Sequence, residues 1–544
     1  MQGLMQHGAL TVDKFLDHAA AWHGAREVVS RDAAGIVTRS NYGEIHTLAK
    51  RVSNGLARAG IRPGDRVATM GWNSARHLAV WYGAAGMGAV LHTLNPRLFL
   101  EQIAYIANHA GDRILFADPA CAELIGELLP QVPTIERVIF LCDAAALPKT
   151  DYAATAFDDW AAGEPAEYAW GGFDENSACG LCYTSGTTGN PKGVLYGHRS
   201  NYIHALMTLQ ADALALSGRD SVLMVVPMYH ANAWGMVYSA PAVGAKLVLP
   251  GQKMDGESLV DLIEQEGITF SSAVPTIWQG VLHYLKESGR GLGAMKRVVI
   301  GGSAVPEALV RTFRDDYGVD VIQGWGMTET SPLATISTPS AEVAALPADE
   351  QIQYAIKQGR LLAGLELKLT DDEGNRLPHD GRTPGRLKIK GPTIVAGYFG
   401  GDGGNVLDEE GFFDTGDVST IDDKGYMQIT DRAKDVVKSG GEWISSIEIE
   451  NIATGHPAVA LAAVIGVAHP KWDERPILLC QLKPGASACR DDLTAFLDGK
   501  IARWWMPDDV LFVPEIPLGA TGKIDKKLIR QRMEGYKLPF EAAR

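Results

Sequence analysis

Two stretches of the chain alternate short β-branched runs with amphipathic segments. In the first, RVATMGW (66–72), AVLHTL (89–94), DRILFAD (112–118) and IERVIFL (135–141) read as strands with helical segments between them. In the segment 98–110, Phe99, Ile103, Ile106 and Ala110 fall on one helical face. In the second stretch the strand-like runs are VLMVVP (222–227), KLVLP (246–250), ITFSSAVP (268–275), KRVVIGG (296–302) and VDVIQGWG (319–326). SLVDLIEQEG (258–267) and EALVRTFRDDYG (307–318) supply helices among them. Such alternation predicts parallel sheets covered by helices on both faces, here two α/β subdomains facing each other.

After residue 335 the pattern changes to shorter strands and Gly/Asp turns such as DDEGNRLPHDGR (371–382), which predicts a small β-rich subdomain. A last α+β unit begins near Asp431. Its elements are ALAAVIGVA (460–468), PILLCQLK (476–483), DDLTAFLDGKIAR (491–503), DVLFVPEIP (509–517) and IDKKLIRQR (524–532). The expected fold class is α/β. A large N-terminal domain (1–430) holds the two α/β subdomains and the β-rich one, and a small α+β domain (435–544) follows the junction 431–434.

A length of 544 residues exceeds one ordinary domain, and 46% hydrophobic residues with 60 glycines and 27 prolines suit a loop-rich soluble enzyme. The six cysteines (Cys121, Cys142, Cys179, Cys182, Cys480, Cys489) lack metal-cluster spacing, and the Cys179/Cys182 pair lies in an apolar run. This usage suits the reducing cytoplasm. No secretory signal is expected from MQGLMQHGAL. The best membrane candidate, Leu78–Leu91, has 14 residues. A spanning helix needs ~20, so no integral membrane segment is expected and this run reads as a buried helix entering a strand.

The net charge of −15 argues against nucleic acid as a partner. From Arg432 to Arg544, 16 Lys and Arg balance 15 Asp and Glu, so the acidity lies upstream. Polyanionic ligands must therefore be held by specific local groups.

The strongest local signal is Tyr183-Thr184-Ser185-Gly186-Thr187-Thr188-Gly189-Asn190-Pro191-Lys192-Gly193. Its glycines free backbone N–H groups to curl around phosphate oxygens, while hydroxyls and a lysine add donors and charge. It is not the GxxxxGK[ST] loop, because Lys192 follows a proline and precedes a glycine.

Six further strings follow in order: VPMYHANAWG (226–235), GGSAVP (301–306), QGWGMTETSP (323–332), FFDTGDV (412–418), DRAKDVVKSGGEWISSIEIE (431–450) and GATGKIDK (519–526). With the phosphate loop, they resemble the adenylate-forming superfamily of acyl-CoA synthetases, peptide-synthetase adenylation domains and beetle luciferases. The resemblance spans nearly the whole chain. It is nearest to bacterial medium- and long-chain fatty acid–CoA ligases and methylthiopropionate–CoA ligases. It implies ATP, Mg²⁺ and coenzyme A, a small-molecule carboxylic acid as substrate, a mobile C-terminal domain and a homodimer.

The same resemblance assigns roles. Thr184, Ser185, Gly186, Thr187, Thr188, Gly189 and Lys192 would hold the ATP phosphates. Glu329 would ligate Mg²⁺, a hard cation that seeks oxygens, with Thr184 as second ligand. Trp325 stands where the family usually has tyrosine and would pack on adenine, flanked by Gly324, Gly326, Met327 and Thr328. Asp417 would take the ribose hydroxyls, with Arg432 as its companion. Gly302, Ser303 and Ala304 complete the nucleotide site.

His230 would lie near the substrate carboxylate at the end of a strand, and Trp234 would gate an acyl tunnel also lined by Gly302, Gly326 and Met327. Lys523 would offset charge developing on phosphorus during adenylation. Lys438, Ser439, Gly440, Gly441 and Trp443 would line the CoA path, and Lys434 would be the hinge. Asp431 and Ser446 depart from the Gly and Pro of many relatives and match the fatty-acid branch.

The implied reaction has two steps. The acid attacks the α-phosphate of Mg·ATP and releases pyrophosphate, then the CoA thiol attacks the acyl-AMP and releases AMP. A thiol of pKa near ~8.5 is a few per cent thiolate at neutral pH, enough without a strong base. The alternatives are a fatty acyl–AMP ligase loading a carrier protein, and a methylthiopropionate-type or aryl acid–CoA ligase. A luciferase-like oxygenase and a non-catalytic nucleotide sensor complete the set.

Overall fold

The computed structural model describes residues 1, 3–184, 190–439, 442–519 and 523–539, without the side chains of 442 and 443. Two large sheets carry the first 361 residues. One has seven strands, in the order Ala154–Ala156, Arg137–Phe140, Ile114–Ala117, Arg66–Met70, Val90–Leu94, Ala178–Tyr183 and Gly193–Gly197. All its neighbours are parallel except the last pair. The other has nine strands, with a parallel centre built from the five expected runs.

That second sheet also recruits Glu27–Arg31, which pairs in parallel with Lys246–Leu249 from far along the chain. Helix Ala75–Gly86 is buried along ten of its 12 residues and leads through a turn to Val90–Leu94. The apolar run 78–91 is therefore interior structure. Gly83 is required here: a Cβ would stand 2.7 Å from the Ala49 carbonyl oxygen of helix Tyr42–Arg58. Among the described residues no helix is long and apolar enough to cross a membrane.

The β-rich subdomain is a four-stranded antiparallel sheet of Glu366–Thr370, Gly385–Lys390, Phe413–Ile421 and Met427–Arg432. Burial alternates along Gly385–Lys390, the period-two signature of a sheet with one covered face. The C-terminal unit has a five-stranded sheet with helices Ser446–Thr454, Arg490–Leu497 and Lys526–Arg532.

Some expected bounds shift. The element expected over 491–503 is a helix that ends at Leu497, where Asp498 turns extended and Gly499 takes φ +72°. The element expected over 509–517 is a strand that ends at Phe512, ahead of Pro514 and Pro517, which cannot donate to a ladder. The helix expected over 307–318 changes at Thr312 into a wider π turn.

Candidate active site

The phosphate loop joins two antiparallel strands, Ala178–Tyr183 and Gly193–Gly197. Its ends are tied: Thr184 N–H donates to the Lys192 carbonyl at 2.9 Å, and Lys192 N–H donates to Thr184 Oγ1 at 3.2 Å. Ser185, Gly186, Thr187, Thr188 and Gly189 lie outside the described residues. The Lys192 ammonium sits 4.9 Å from the centre of the Tyr398 ring. The Tyr398 hydroxyl in turn donates to Glu329 Oε1 at 2.8 Å.

Glu329 lies in the short turn Thr328–Thr330 and is buried. Burial holds its pKa above the usual carboxylate range, and the Tyr398 bond opposes that shift. Tyr196, on the strand leaving the phosphate loop, donates its hydroxyl to the Thr328 carbonyl at 2.8 Å. Glu329 is thereby fixed beside the loop by tyrosines from two directions. Neither tyrosine was singled out by the sequence, where an aromatic between glycine-flanked elements carries no distinguishing pattern.

The antiparallel register sets Asp417 opposite Arg432. Asp417 is buried, and its Oδ2 accepts the Trp325 indole N–H at 3.0 Å. Its Oδ1 lies 2.7 Å from Arg432 Nε but outside hydrogen-bonding geometry, and it has no donor among the described residues. Burial pushes the Asp417 pKa up, while Arg432, Trp325 and Lys523 pull it down.

Lys523 comes from the C-terminal unit and enters this cleft. Its Cε would lie 3.7 Å from a Cβ placed on Gly302, which has φ +84°. The side chain is open to solvent along the cleft. The protein around its ammonium nevertheless brings its pKa down to about 8, first by desolvation and then by Arg432, against the pull of Asp417 and Glu329. His230 is brought to about 4 by burial and by Lys523, so its imidazole is neutral near pH ~7.

His230 and Trp234 are not at a strand end. The strand stops at Met224, and residues 231–235 form a left-handed turn. Ala231, Asn232, Ala233 and Trp234 have φ of 43°, 58°, 49° and 54°, before Gly235 at 82°. Left-handed L-residues cost ~1–2 kcal/mol each, and such strain concentrates at ligand clamps. The turn aims the Trp234 indole at the glycines of 301–302: a Cβ on Gly301 would stand 3.2 Å from its ring and one on Gly302 3.9 Å. Gly326 has no room either, since a Cβ there would be 1.9 Å from the Pro332 carbonyl oxygen. Gly324 lies two residues before it on the same strand, and Met327 packs against the main core. Ser303 is exposed and Ala304 half-buried at the edge of the cleft.

Of the residues expected on the CoA path, Lys438 and Ser439 are described and lie apart from this cluster. Lys438 is exposed on the strand Val437–Ser439, with its backbone N–H on Glu474 Oε2 at 3.0 Å. Ser439 Oγ accepts from Arg475 at 3.3 Å. No described contact joins either to Lys523, Asp417 or Glu329. Gly440 and Gly441 lie outside the described residues, as does the Trp443 side chain. Lys434 is exposed in the segment between the two units.

The donor set suits magnesium. Mg²⁺ takes one or two protein oxygens and fills its octahedron with phosphate and water. Glu329 and Thr184 offer such oxygens beside the phosphate loop. Among the described residues no group of three or more His, Cys, Asp or Glu could hold a metal unaided.

The description "AMP-binding enzyme" matches residues 15–399, and "AMP-binding enzyme C-terminal domain" matches 448–523. The chain belongs to the AMP-binding enzyme family. This AMP-binding enzyme is 46% identical to a 3-methylmercaptopropionyl-CoA ligase of Ruegeria lacuscaerulensis, covering 98% of this chain and 99% of that one. It is also 46% identical to a medium-chain-fatty-acid–CoA ligase of Ectopseudomonas oleovorans (98% and 97% covered). A long-chain-fatty-acid–CoA ligase of Thermus thermophilus is 41% identical, with 98% and 97% covered.

Among solved structures, an anthranilate CoA ligase in complex with anthranoyl-AMP superposes with TM-score 0.86 at 24% identity, covering 100% of both chains, which shows the fold. ATP-bound MatB from Rhodopseudomonas palustris gives TM-score 0.82 at 25% identity, with 97% and 100% covered. The resemblance drawn from the motifs holds, and the AMP-binding enzyme is an AMP-forming acid–thiol ligase.

Proposed function

We propose that this enzyme activates a medium-length hydrophobic carboxylic acid with Mg·ATP and transfers the acyl group to coenzyme A. The observation that carries the reading is Lys523, delivered from the C-terminal unit into the cleft shared by Gly302, Asp417, Arg432 and Glu329.

In the first step the acid's carboxylate oxygen attacks the α-phosphorus and pyrophosphate departs. The Lys523 ammonium offsets the charge growing on the phosphoryl oxygens, the kind of preorganised electrostatic help that dominates such transfers. Asp417 Oδ1 takes a ribose hydroxyl while Trp325 and Arg432 hold the carboxylate in place, and Trp325 also flanks the adenine. Neutral His230 hydrogen-bonds the acid without competing for its charge. Glu329 and Thr184 would hold Mg²⁺, which supplies charge neutralisation to the phosphates.

In the second step the CoA thiol attacks the acyl carbonyl and AMP leaves. Lys438, Ser439, Gly440, Gly441 and Trp443 serve this step after the C-terminal unit turns about Lys434. The proposal includes a cytoplasmic location, where the exposed thiol of Cys489 stays reduced, and a homodimer.

Trp234, Gly301, Gly302 and Met327 surround the acyl site without a charge. Burying an unpaired second carboxylate or ammonium there costs several kcal/mol, whereas each methylene gains ~0.8 kcal/mol. The relatives named for 3-methylmercaptopropionate bring a short thioether acid into the same class. The test is kcat/KM over a series of straight-chain, thioether, aromatic and amino acids. It should rise about three- to fourfold per methylene from acetate before levelling. Acetate or an amino acid exceeding hexanoate would refute the substrate class.

A further inference from the structure

The two departures at positions 431 and 446 meet in the structure. Asp431, on the strand Met427–Arg432, is completely buried. Its Oδ1 accepts the Arg432 N–H at 2.7 Å, and its Oδ2 accepts the Ser446 N–H at 2.6 Å. Ser446 opens helix Ser446–Thr454 of the C-terminal unit. Next to it, the Ser445 hydroxyl donates to the Thr430 carbonyl and accepts the Glu448 N–H at 3.1 Å. Strand and helix are thus docked by two adjacent bonds.

Lys526 closes the cluster. Its ammonium lies 2.5 Å from Ser446 Oγ and 2.7 Å from Glu450 Oε1. Burial raises the pKa of Asp431 and of Glu450, with Lys526 opposing in both cases. Burial works against the Lys526 charge too, but Glu450 and Asp431 more than offset it and its pKa ends up raised. Two carboxylates share one ammonium here, so the Ser446 N–H at the positive end of the helix is needed to balance Asp431. Beside the contact the faces part into a groove of about 980 Å³, lined by Ala304, Pro306, Gln358, Thr430, Ser445 and Asn451.

We propose that Asp431 is a positioning residue whose carboxylate latches the first turn of helix Ser446–Thr454, holding Lys523 in the cleft and favouring adenylation over thioester formation. The inference rests on the two-step function and on rotation about Lys434. Asp431 precedes that residue and Ser446 follows it. A backbone rotation there carries one away from the other, so the bond exists in one arrangement only. An interaction made in one state alone shifts the equilibrium by its own free energy.

Full-length variants test this in separated half-reactions: acid-dependent pyrophosphate release, and acyl-CoA formation from synthetic acyl-AMP. Ser446→Pro deletes the N–H at a first-turn position that proline tolerates, and Ser446→Ala keeps the N–H while removing the contact with Lys526. Asp431→Asn weakens the acceptor in place. The ratio of adenylation to thioester rate should fall about tenfold in Ser446→Pro and Asp431→Asn, the scale of one charge-assisted bond. Ser446→Ala should stay within about twofold of wild type, and Asp431→Asn/Ser446→Pro should fall no further than the larger single effect. Melting temperatures separate this from unfolding. A ratio that does not move, equal losses in both half-reactions, or Ser446→Ala matching Ser446→Pro would overturn the latch. Wild-type protein that forms no acyl-CoA would instead overturn the proposed function.

Discussion

Trp325 donates its indole N–H to Asp417 Oδ2 at 3.0 Å, leaving Oδ1 of the same buried carboxylate without a donor among the described residues. Oδ1 is ion-paired with Arg432 at 2.7 Å but accepts no hydrogen bond among the described residues, so it keeps a lone pair for the ribose hydroxyl of the proposed reaction. Trp325 and Asp417 are 92 positions apart, and sequence alone placed one on adenine and the other on ribose without connecting them. Trp325→Phe keeps the aromatic face and deletes the N–H. It should raise KM for ATP about tenfold in adenylation with kcat little changed, since binding is lost in ground and transition states alike. An unchanged KM in steady-state assays would show that the bond has no part in nucleotide binding.

Lys523 gives adenylation a pH signature. With its pKa at about 8, the ammonium is charged below that value and lost above it. Because kcat/KM reports the free enzyme, it should be flat below pH ~8 and fall about tenfold per unit above. Lys523→Arg keeps the charge and should remove the break. His230, at about 4, stays neutral through this range and adds no break of its own. A profile rising through pH ~8, in wild type buffered at constant ionic strength, would contradict the assignment.

The two lysines of the C-terminal unit should divide the work. Lys523→Ala should slow adenylation at least ~10²-fold, the scale for losing one transition-state donor, and spare thioester formation from acyl-AMP. Lys438, exposed and without a described contact to Asp417, should behave in reverse when changed to Ala. Rapid-quench assays of each half-reaction decide it, and equal losses in both would exclude a rotating domain.

The six-membered ring of Trp234 comes within 3.2 Å of a Cβ placed on Gly301 and 3.9 Å of one on Gly302, where the proposed acyl site would end. Trp234→Ala should move the plateau of kcat/KM towards longer acids, with each newly accommodated methylene adding about three- to fourfold. A chain-length profile that keeps its wild-type plateau would place the wall elsewhere.

The strand–helix alternation of 66–141 and 222–326 was readable because each element must bury one face locally. The pairing of Glu27–Arg31 with Lys246–Leu249 was not, because periodicity marks a strand and says nothing of its distant neighbour. Lys523, Glu329 and Asp417 were legible through their motifs, and the structure gathers them. The left-handed turn at 231–235 was hidden, since its first four residues are not glycine and tertiary packing overrides their local preference. Tyr398 was missed for a similar reason: only the fold brings its ring to Lys192 and its hydroxyl to Glu329. Asp431 and Ser446 were noticed as separate departures, and their bond became visible only with the helix docked on the strand.

Acid activation through acyl-AMP followed by transfer to CoA leaves a distinctive product stoichiometry. Purified protein is incubated with octanoate and Mg·ATP, with and without CoA, and pyrophosphate, AMP and octanoyl-CoA are quantified together. Pyrophosphate release should depend on the acid and stop near one equivalent per site without CoA. With CoA, turnover should continue and yield AMP, pyrophosphate and octanoyl-CoA in equal amounts. ADP and phosphate as products, or continuous AMP release that ignores CoA, would contradict it.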